Sequence, residues 1–356
     1  MSQDFIPFTV SVPLFWDFDF EIQKSGYFTS PSRRSTLFSF CFVVVDWQRA
    51  RPPSKRKREE TTSTIVIMSR EGEGAIVIDG FKGIVSNNDA VDDDATHGLR
   101  WYCAPDAWKT TTPGEEGYGG EWNLVISDTN EHHLELYPPA KKDFWLKTYY
   151  RPILIKDDGP VLYATLSEAT VHTVTTHFTL FAQHQFDQAG IVIRLDYKHW
   201  IKTGIEVVDG KARLSCVVTN GYSDWSTQPW QQEKMTTSSS SGGDDKTSTT
   251  RVDCTIRVHC RTEGNFVVEA RRNNNNNNNQ ATEDWELVRI CHLSRAHDCQ
   301  PDPLAQHTAF QGPEPPTGTL WAGVFGCCPI AQSGETKAVF KQFFVSKGSE
   351  FDHTAD

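Results

Sequence analysis

The stretch from Asp187 to Trp225 most constrains the fold. It holds three apolar runs, Ala189–Leu195, Ile201–Val208 and Arg213–Thr219, joined by very short connections. Asp209-Gly210, between the second and third, is a strong two-residue hairpin signal, because a type I′ turn needs positive φ at both central positions. Closing that turn sets Val208 opposite Lys211, Glu206 opposite Arg213 and Gly204 opposite Ser215. A second hairpin, centred on Lys198, sets Asp196 near Trp200 and Arg194 near Lys202. Side chains alternate between faces along a strand. One face therefore collects Ile191, Ile193, Ile201, Ile205, Leu214 and Cys216, which is a core face. The other carries Arg194, Asp196, Trp200, Lys202, Glu206, Arg213 and Ser215, with Gly190 and Gly204 as gaps.

The same signature repeats along the chain. Val161–Leu166, Val171–Leu180, Thr255–His259, Phe266–Ala270, Glu286–Cys291, Thr319–Phe325 and Ala338–Val345 are short and rich in β-branched and aromatic residues. No stretch shows the apolar period of a three-turn amphipathic helix. Many short strands without intervening helices predict an all-β sandwich or barrel. Three low-complexity segments interrupt them: Thr236–Thr250, the asparagine tract Asn273–Asn279, and the Pro-, His- and Gln-rich Ser294–Gly318. None carries enough apolar surface to offset its ordering entropy, so each is expected to be a mobile surface loop.

Residues 1–67 differ from the rest, with nine Lys and Arg against seven Asp and Glu, and aromatics scattered among Pro and Ser. The expected organisation is a disordered leader over 1–79, one sandwich over 80–346 and a tail over 347–356. Met68, just ahead of the patterned region, is an alternative start. Pro52–Arg58 reads either as a nuclear-import signal or as a solvated basic linker. The 46 acids outnumber the 35 bases, which argues against a general nucleic-acid binder. The longest apolar run, Leu37–Val45, is about half of the ~18 residues a membrane span needs. The acid at Asp4 stands where a signal peptide would carry bases. Nine cysteines, an odd number with no Cys-x-x-Cys pair, predict free thiols in a reducing compartment. A cytoplasmic protein is expected, reaching the nucleus too if the leader with Lys55–Arg58 is translated.

The polar face of the central strands is either a salt-bridged outer sheet or the floor of a groove. Arg194 and Lys202, side by side, repel unless a carboxylate or an anionic ligand neutralises them. Trp122, Trp145, Trp200, Trp225 and Trp230 bear on the choice, since rings beside charged groups stack sugars, while single tryptophans more often fill cores. Tyr222-Ser223-Asp224-Trp225 follows a strand and is expected to be a loop with exposed Trp and Asp. The candidate ligand-binding set is Asp187, Gln188, Arg194, Trp200, Lys202, Glu206, Asp224 and Trp225. No catalytic set is assigned: the Glu-x-Asp-x-x-Glu of sandwich glycosidases is missing from the strands, and so is Gly-x-Ser-x-Gly. No metal or cofactor is expected. His132 and His133 alternate faces, and Asp89 and Asp92–Asp94 lack calcium-loop spacing.

Asp143-Phe144-Trp145-Leu146-Lys147-Thr148-Tyr149-Tyr150, Phe186–Arg194, Trp200–Glu206 and Val217–Ser226 resemble the family named for regulation of enolase. The likeness runs from about Arg100 to Val345. The Asp-Gln-Ala-Gly strand is similar, more distantly, to a concanavalin A-like accessory domain of β-xylosidases. The resemblance implies a concanavalin A-like two-sheet antiparallel β-sandwich, a jelly roll, in an intracellular family of largely unknown function. It also implies a non-catalytic binding or regulatory role in carbohydrate metabolism, with a glycolytic enzyme such as enolase as a partner. The alternative is a lectin-like or glycoside-processing protein using the polar sheet face.

Overall fold

Two antiparallel sheets face one another in the computed structural model, which describes residues 76–81, 98–107, 115–126, 131–237, 247–272, 284–295, 309, 312–330 and 336–351. The strands, in chain order, are β1 (Ile76–Asp79), β2 (Arg100–Tyr102), β3 (Glu121–Ile126), β4 (His132–Tyr137), β5 (Phe144–Leu146), β6 (Ile155–Asp157), β7 (Val161–Ser167), β8 (His172–Ala182) and β9 (Gln188–Asp196). They continue as β10 (His199–Val208), β11 (Lys211–Asn220), β12 (Ser223–Pro229), β13 (Glu233–Thr237), β14 (Thr247–Cys260), β15 (Asn265–Arg271), β16 (Glu286–His292), β17 (Thr319–Cys327) and β18 (Lys337–Lys347). One sheet has the order β16-β15-β14-β8-β18-β4-β3, with β1 added on β18 and β13 on β14. The other runs β12-β11-β10-β9-β17-β7-β2, and β5 and β6 form a separate ribbon. This is the all-β, two-sheet antiparallel sandwich of the jelly-roll, concanavalin A-like kind.

Several expectations are corrected by the strand limits. Residues 76–79, inside the expected leader, form β1 and pair with β18. At the other end, Gly348 N–H donates to Val171 at 2.8 Å, which ties the start of the expected tail to the sheet. The segment after Tyr222 is not a loop: Ser223–Pro229 is an edge strand paired with β11. Lys55–Arg58, Met68, Asp89 and Asp92–Asp94, the asparagine tract and most of the other two low-complexity segments lie outside the described residues. Among the described residues, no helix is long and apolar enough to cross a membrane.

The β10–β11 hairpin has the predicted register, with Val208 opposite Lys211, Glu206 opposite Arg213 and Gly204 opposite Ser215. Asp209 and Gly210 take φ of 52° and 69°, as a type I′ turn requires. The β9–β10 hairpin is offset from expectation, because Trp200 pairs with Arg194 and Lys202 with Val192. Its cause is local. Asp196 Oδ1 accepts the backbone N–H groups of Lys198 and His199, at 2.8 and 2.9 Å. That carboxylate-held turn tightens the connection, and the register slips between His199 and Trp200. Arg194 and Lys202 are therefore not opposite one another.

The inner face of β9–β11 contributes Ile191, Ile193, Ile201, Ile205, Leu214 and Cys216 to the main core, as the alternation predicts. The opposite face is neither solvated nor an open groove. It is roofed by β5, β6 and their connection, which build a second apolar cluster of Phe144, Trp145, Leu146, Val192, Trp200, Val217, Trp321 and Phe325. Trp200 is buried there, its ring 5.9 Å from that of Phe144.

Candidate functional site

Burying a sheet face that carries Arg194, Lys202 and Glu206 is costly unless each charge finds a partner. The roof supplies them from the end where β5 begins and β6 finishes, Phe144 pairing with Asp157. Asp157, at the end of β6, holds Arg194 with both carboxylate oxygens, Oδ1–Nη1 at 2.5 Å and Oδ2–Nη2 at 2.9 Å. The Tyr102 hydroxyl donates to Asp157 Oδ2 at 2.9 Å, Glu314 Oε1 meets Arg194 Nη2 at 2.8 Å, and the guanidinium lies 4.9 Å from the Tyr102 ring. Burial pushes the Asp157 carboxyl up, and Arg194 opposes that shift. Both Nη atoms of Arg194 are thus held by internal carboxylates, away from the free base the sequence suggested.

Asp143, one residue ahead of β5, holds Lys202. Its Oδ1 accepts from Lys202 Nζ at 2.6 Å and from Gln188 Nε2 at 3.2 Å. Burial works against the Lys202 ammonium, but Asp143 and Glu206 outweigh it and hold its pKa above the usual lysine value. Glu206, 6% exposed, is reached differently. The Ser215 hydroxyl donates to Glu206 Oε2 at 2.7 Å, and Ser215 Oγ itself accepts from the Trp225 indole at 2.8 Å. Arg213 sits opposite Glu206 in the ladder, yet the expected ion pair between them is not formed. Burial pushes the Glu206 carboxyl up to about 7, against the pull of Lys202.

These groups floor a pocket of about 170 Å³. Asp143, Lys202 and Glu206 form the bottom, Trp145, Tyr150, Phe186 and Trp225 the walls, and Leu154, Pro329 and Ile330 the rim. The walls are set edge to face: Trp145 to Trp225 at 6.3 Å and 90°, Phe186 to Trp225 at 6.4 Å and 76°, Trp145 to Tyr150 at 5.7 Å and 75°. Leu146 N–H donates to Ser223 Oγ at 2.9 Å and fixes the roof to β12. Phe186 has φ of 66°, and Lys147 and Tyr149 in the roof's connection have 64° and 71°. For side chains of this bulk such a backbone costs on the order of 1–3 kcal/mol each, and strain of that kind gathers where a binding site dictates geometry.

Of the predicted set, Lys202, Glu206 and Trp225 line this pocket. Gln188 supports it through Asp143. Trp200 is core, and Arg194 belongs to the separate Asp157 cluster. Asp187 is fully buried in the turn before β9, where it accepts from the N–H groups of Gln183 and His184 at 2.8 Å each and from Thr336. Asp224 points away from the pocket on its edge strand and pairs with Arg289 at 2.8 Å. The sequence reading missed Asp143 and Asp157 as site residues. The signal for them was three bases, Arg194, Lys202 and Arg213, against two acids, Asp196 and Glu206, on one predicted sheet face. A larger cavity of about 310 Å³ lies beside Arg295, but that guanidinium is already spent on Glu168, Asp196 and the Leu195 carbonyl. No cluster of three His, Cys, Asp or Glu side chains among the described residues is arranged to hold a metal.

Comparison with known proteins agrees with the sequence resemblance. A 94-residue stretch is 44% identical to Regulation of enolase protein 1 of Saccharomyces cerevisiae, covering 26% of this chain and 46% of that protein. A 95-residue stretch is 30% identical to an uncharacterised protein of Emericella nidulans, with the same shares. The chain thus spans about half the length of the curated relatives it matches. Among solved structures, a functionally unknown Saccharomyces cerevisiae protein is similar at a TM-score of 0.43 and 24% identity, over 65% of this chain and 97% of that one. A Bacteroides ovatus xyloglucan-locus GH43 protein is similar at 0.35 and 13%, over 67% of this chain and 40% of that one. Residues 123–347 match a family model described as protein of unknown function DUF1349, and the chain belongs to that family.

Proposed function

We propose that the protein is a non-catalytic binding and regulatory protein of carbohydrate metabolism, whose ligand is a polyhydroxyl molecule the size of one sugar ring seated in the Trp145–Trp225 pocket. The observation that carries this reading is the joining of a buried Asp143–Lys202–Glu206 floor to aromatic walls in one small cavity. Rings offer apolar faces to a sugar while carboxylates and an ammonium hydrogen-bond its hydroxyls. A cavity of about 170 Å³ is small, which suits one ring rather than a chain. Binding is favoured over turnover because Asp143 Oδ1 is already engaged by Lys202 and Gln188, which leaves Glu206 without a second free carboxylate oxygen pair beside it for acid–base work.

The likeness to a relative named for regulation of enolase supports an action on a glycolytic enzyme of the cytoplasm, with enolase itself as the partner to test. Tyr149, Ile153 and Ile330, exposed in or beside the pocket's roof and rim, are the apolar surface such a partner would meet.

The test is a thermal-shift screen of the full chain against neutral, amino and acidic sugars and sugar phosphates. A ligand with Kd near ~1 mM at ~50 mM gains about 2.3 kcal/mol, a rise of roughly 5 °C. The shift should vanish in Trp225→Ala. No shift with any sugar overturns the ligand assignment, and a pull-down with purified enolase then tests the partner alone.

A further inference from the structure

We infer that the ligand held in the Trp145–Trp225 pocket carries an ammonium group, seated between the aromatic walls and the Glu206 carboxylate. This rests on the reading of that pocket as the ligand site and adds the charge of what fills it. Two carboxylates and one ammonium line the cavity floor among the described residues. The ammonium is Lys202, and its close partner is Asp143 at 2.6 Å. Glu206 has a hydroxyl for its hydrogen bond, from Ser215, rather than a cation, and Arg213 across the ladder does not bridge to it. When Glu206 is ionised, the floor carries two negative charges against one positive.

The walls suit the same ligand. Trp145, Tyr150, Phe186 and Trp225 surround the space above Glu206, and the faces of such rings attract cations, most strongly where water is excluded. An ammonium placed there meets ring faces at its sides and a carboxylate beneath. A carboxylate or phosphate ligand would instead meet Glu206 and Asp143 as like charges. Burial already holds the Glu206 pKa at about 7, so at neutral pH an arriving cation draws it into its ionised form without a large proton cost. The groups facing Glu206 are Lys202 on its own strand, Asp143 and Tyr150 from the roof, Ser215 and Trp225 from the neighbouring strands, and the buried Cys327 thiol from β17. Of these only Lys202 is cationic; its close ion pair is with Asp143, and it acts on Glu206 without a hydrogen bond between them.

Calorimetric titration of the full chain at neutral pH with glucose, glucosamine, N-acetylglucosamine and cyclohexylamine tests this. Glucosamine should bind about tenfold tighter than glucose or N-acetylglucosamine, which share its ring but not its charge. In Glu206→Gln, which keeps the side-chain shape and a partner for Ser215, that preference should disappear. Should the variant not fold, the preference of the unmodified chain still decides. Glucose binding as tightly as glucosamine overturns the ammonium inference and leaves the sugar reading standing. Cyclohexylamine matching glucosamine upholds the ammonium and overturns the need for hydroxyls. Binding of none of the four overturns both.

Discussion

Replacing Arg194 by alanine tests the central structural finding, that the polar sheet face is an interior. Arg194 is 2% exposed and its side chain fills space against Tyr102 while bonding both oxygens of Asp157. Alanine leaves Asp157 buried with only the Tyr102 hydroxyl among its side-chain partners. Breaking a buried pair by removing one partner costs about 3–5 kcal/mol, against about 0–1 kcal/mol for an exposed pair. The expected result in urea unfolding is therefore a loss of about 4 kcal/mol, or a melting point lower by roughly 10 °C. Two controls separate the charge from the packing. Arg194→Met with Asp157→Leu, which removes both charges and keeps volume, should recover most of the loss. The single variant should also suffer less in acid, where Asp157 can take up a proton in the absence of its base. A loss below about 1 kcal/mol for Arg194→Ala would refute the reasoning and return the pair to an exposed ladder.

Two further predictions follow from groups whose proton affinity the fold has changed. The Glu206 carboxyl is raised from 4.5 to about 7, so between these values the folded chain keeps a proton the unfolded chain has lost. Stability should accordingly fall as pH rises through that window, by on the order of 3 kcal/mol, and the slope should flatten in Glu206→Gln; a slope unchanged in the variant would assign it to other groups. Burial pushes the thiols of Cys216 and Cys103 up to about 12 and that of Cys291 to about 11. Alkylation of these three at pH 8 should be slow in the native chain and rapid in urea, and fast native labelling of Cys216 would contradict its burial.

The central strands were legible because their determinants are local. Asp209-Gly210 sets one hairpin by backbone conformation alone, and the alternation of Ile191, Ile193, Ile201 and Ile205 sets the core face. The Lys198 hairpin was misjudged because its turn is held by a side chain, Asp196, whose two backbone bonds impose a slip that apolar spacing does not encode. Asp224 was misplaced for a related reason. Once Ser223–Pro229 is a strand, Trp225 and Asp224 must face opposite ways, and only the tryptophan reaches the pocket.

What the sequence concealed is the roof, whose Asp143 and Asp157 lie 59 and 37 residues before the bases they meet. A resemblance had picked out Asp143–Tyr150 as a motif, but a motif does not say which face it will cover. The charges themselves carried the clue, since Arg194 and Lys202 on a face with Glu206 demand acids from elsewhere if that face is dry. The roof then treats the two bases differently. Around Arg194 gather Asp157, Tyr102 and Glu314, with Arg194 Nε and Glu314 Oε2 left without a hydrogen bond. At Lys202 it brings one carboxylate as the lysine's close partner, leaves Glu206 hydrogen-bonded to a hydroxyl, and sets aromatic side chains around the space left open. The space beside Glu206, walled by Trp145, Tyr150, Phe186 and Trp225, is therefore where the proposed ligand is to be sought first.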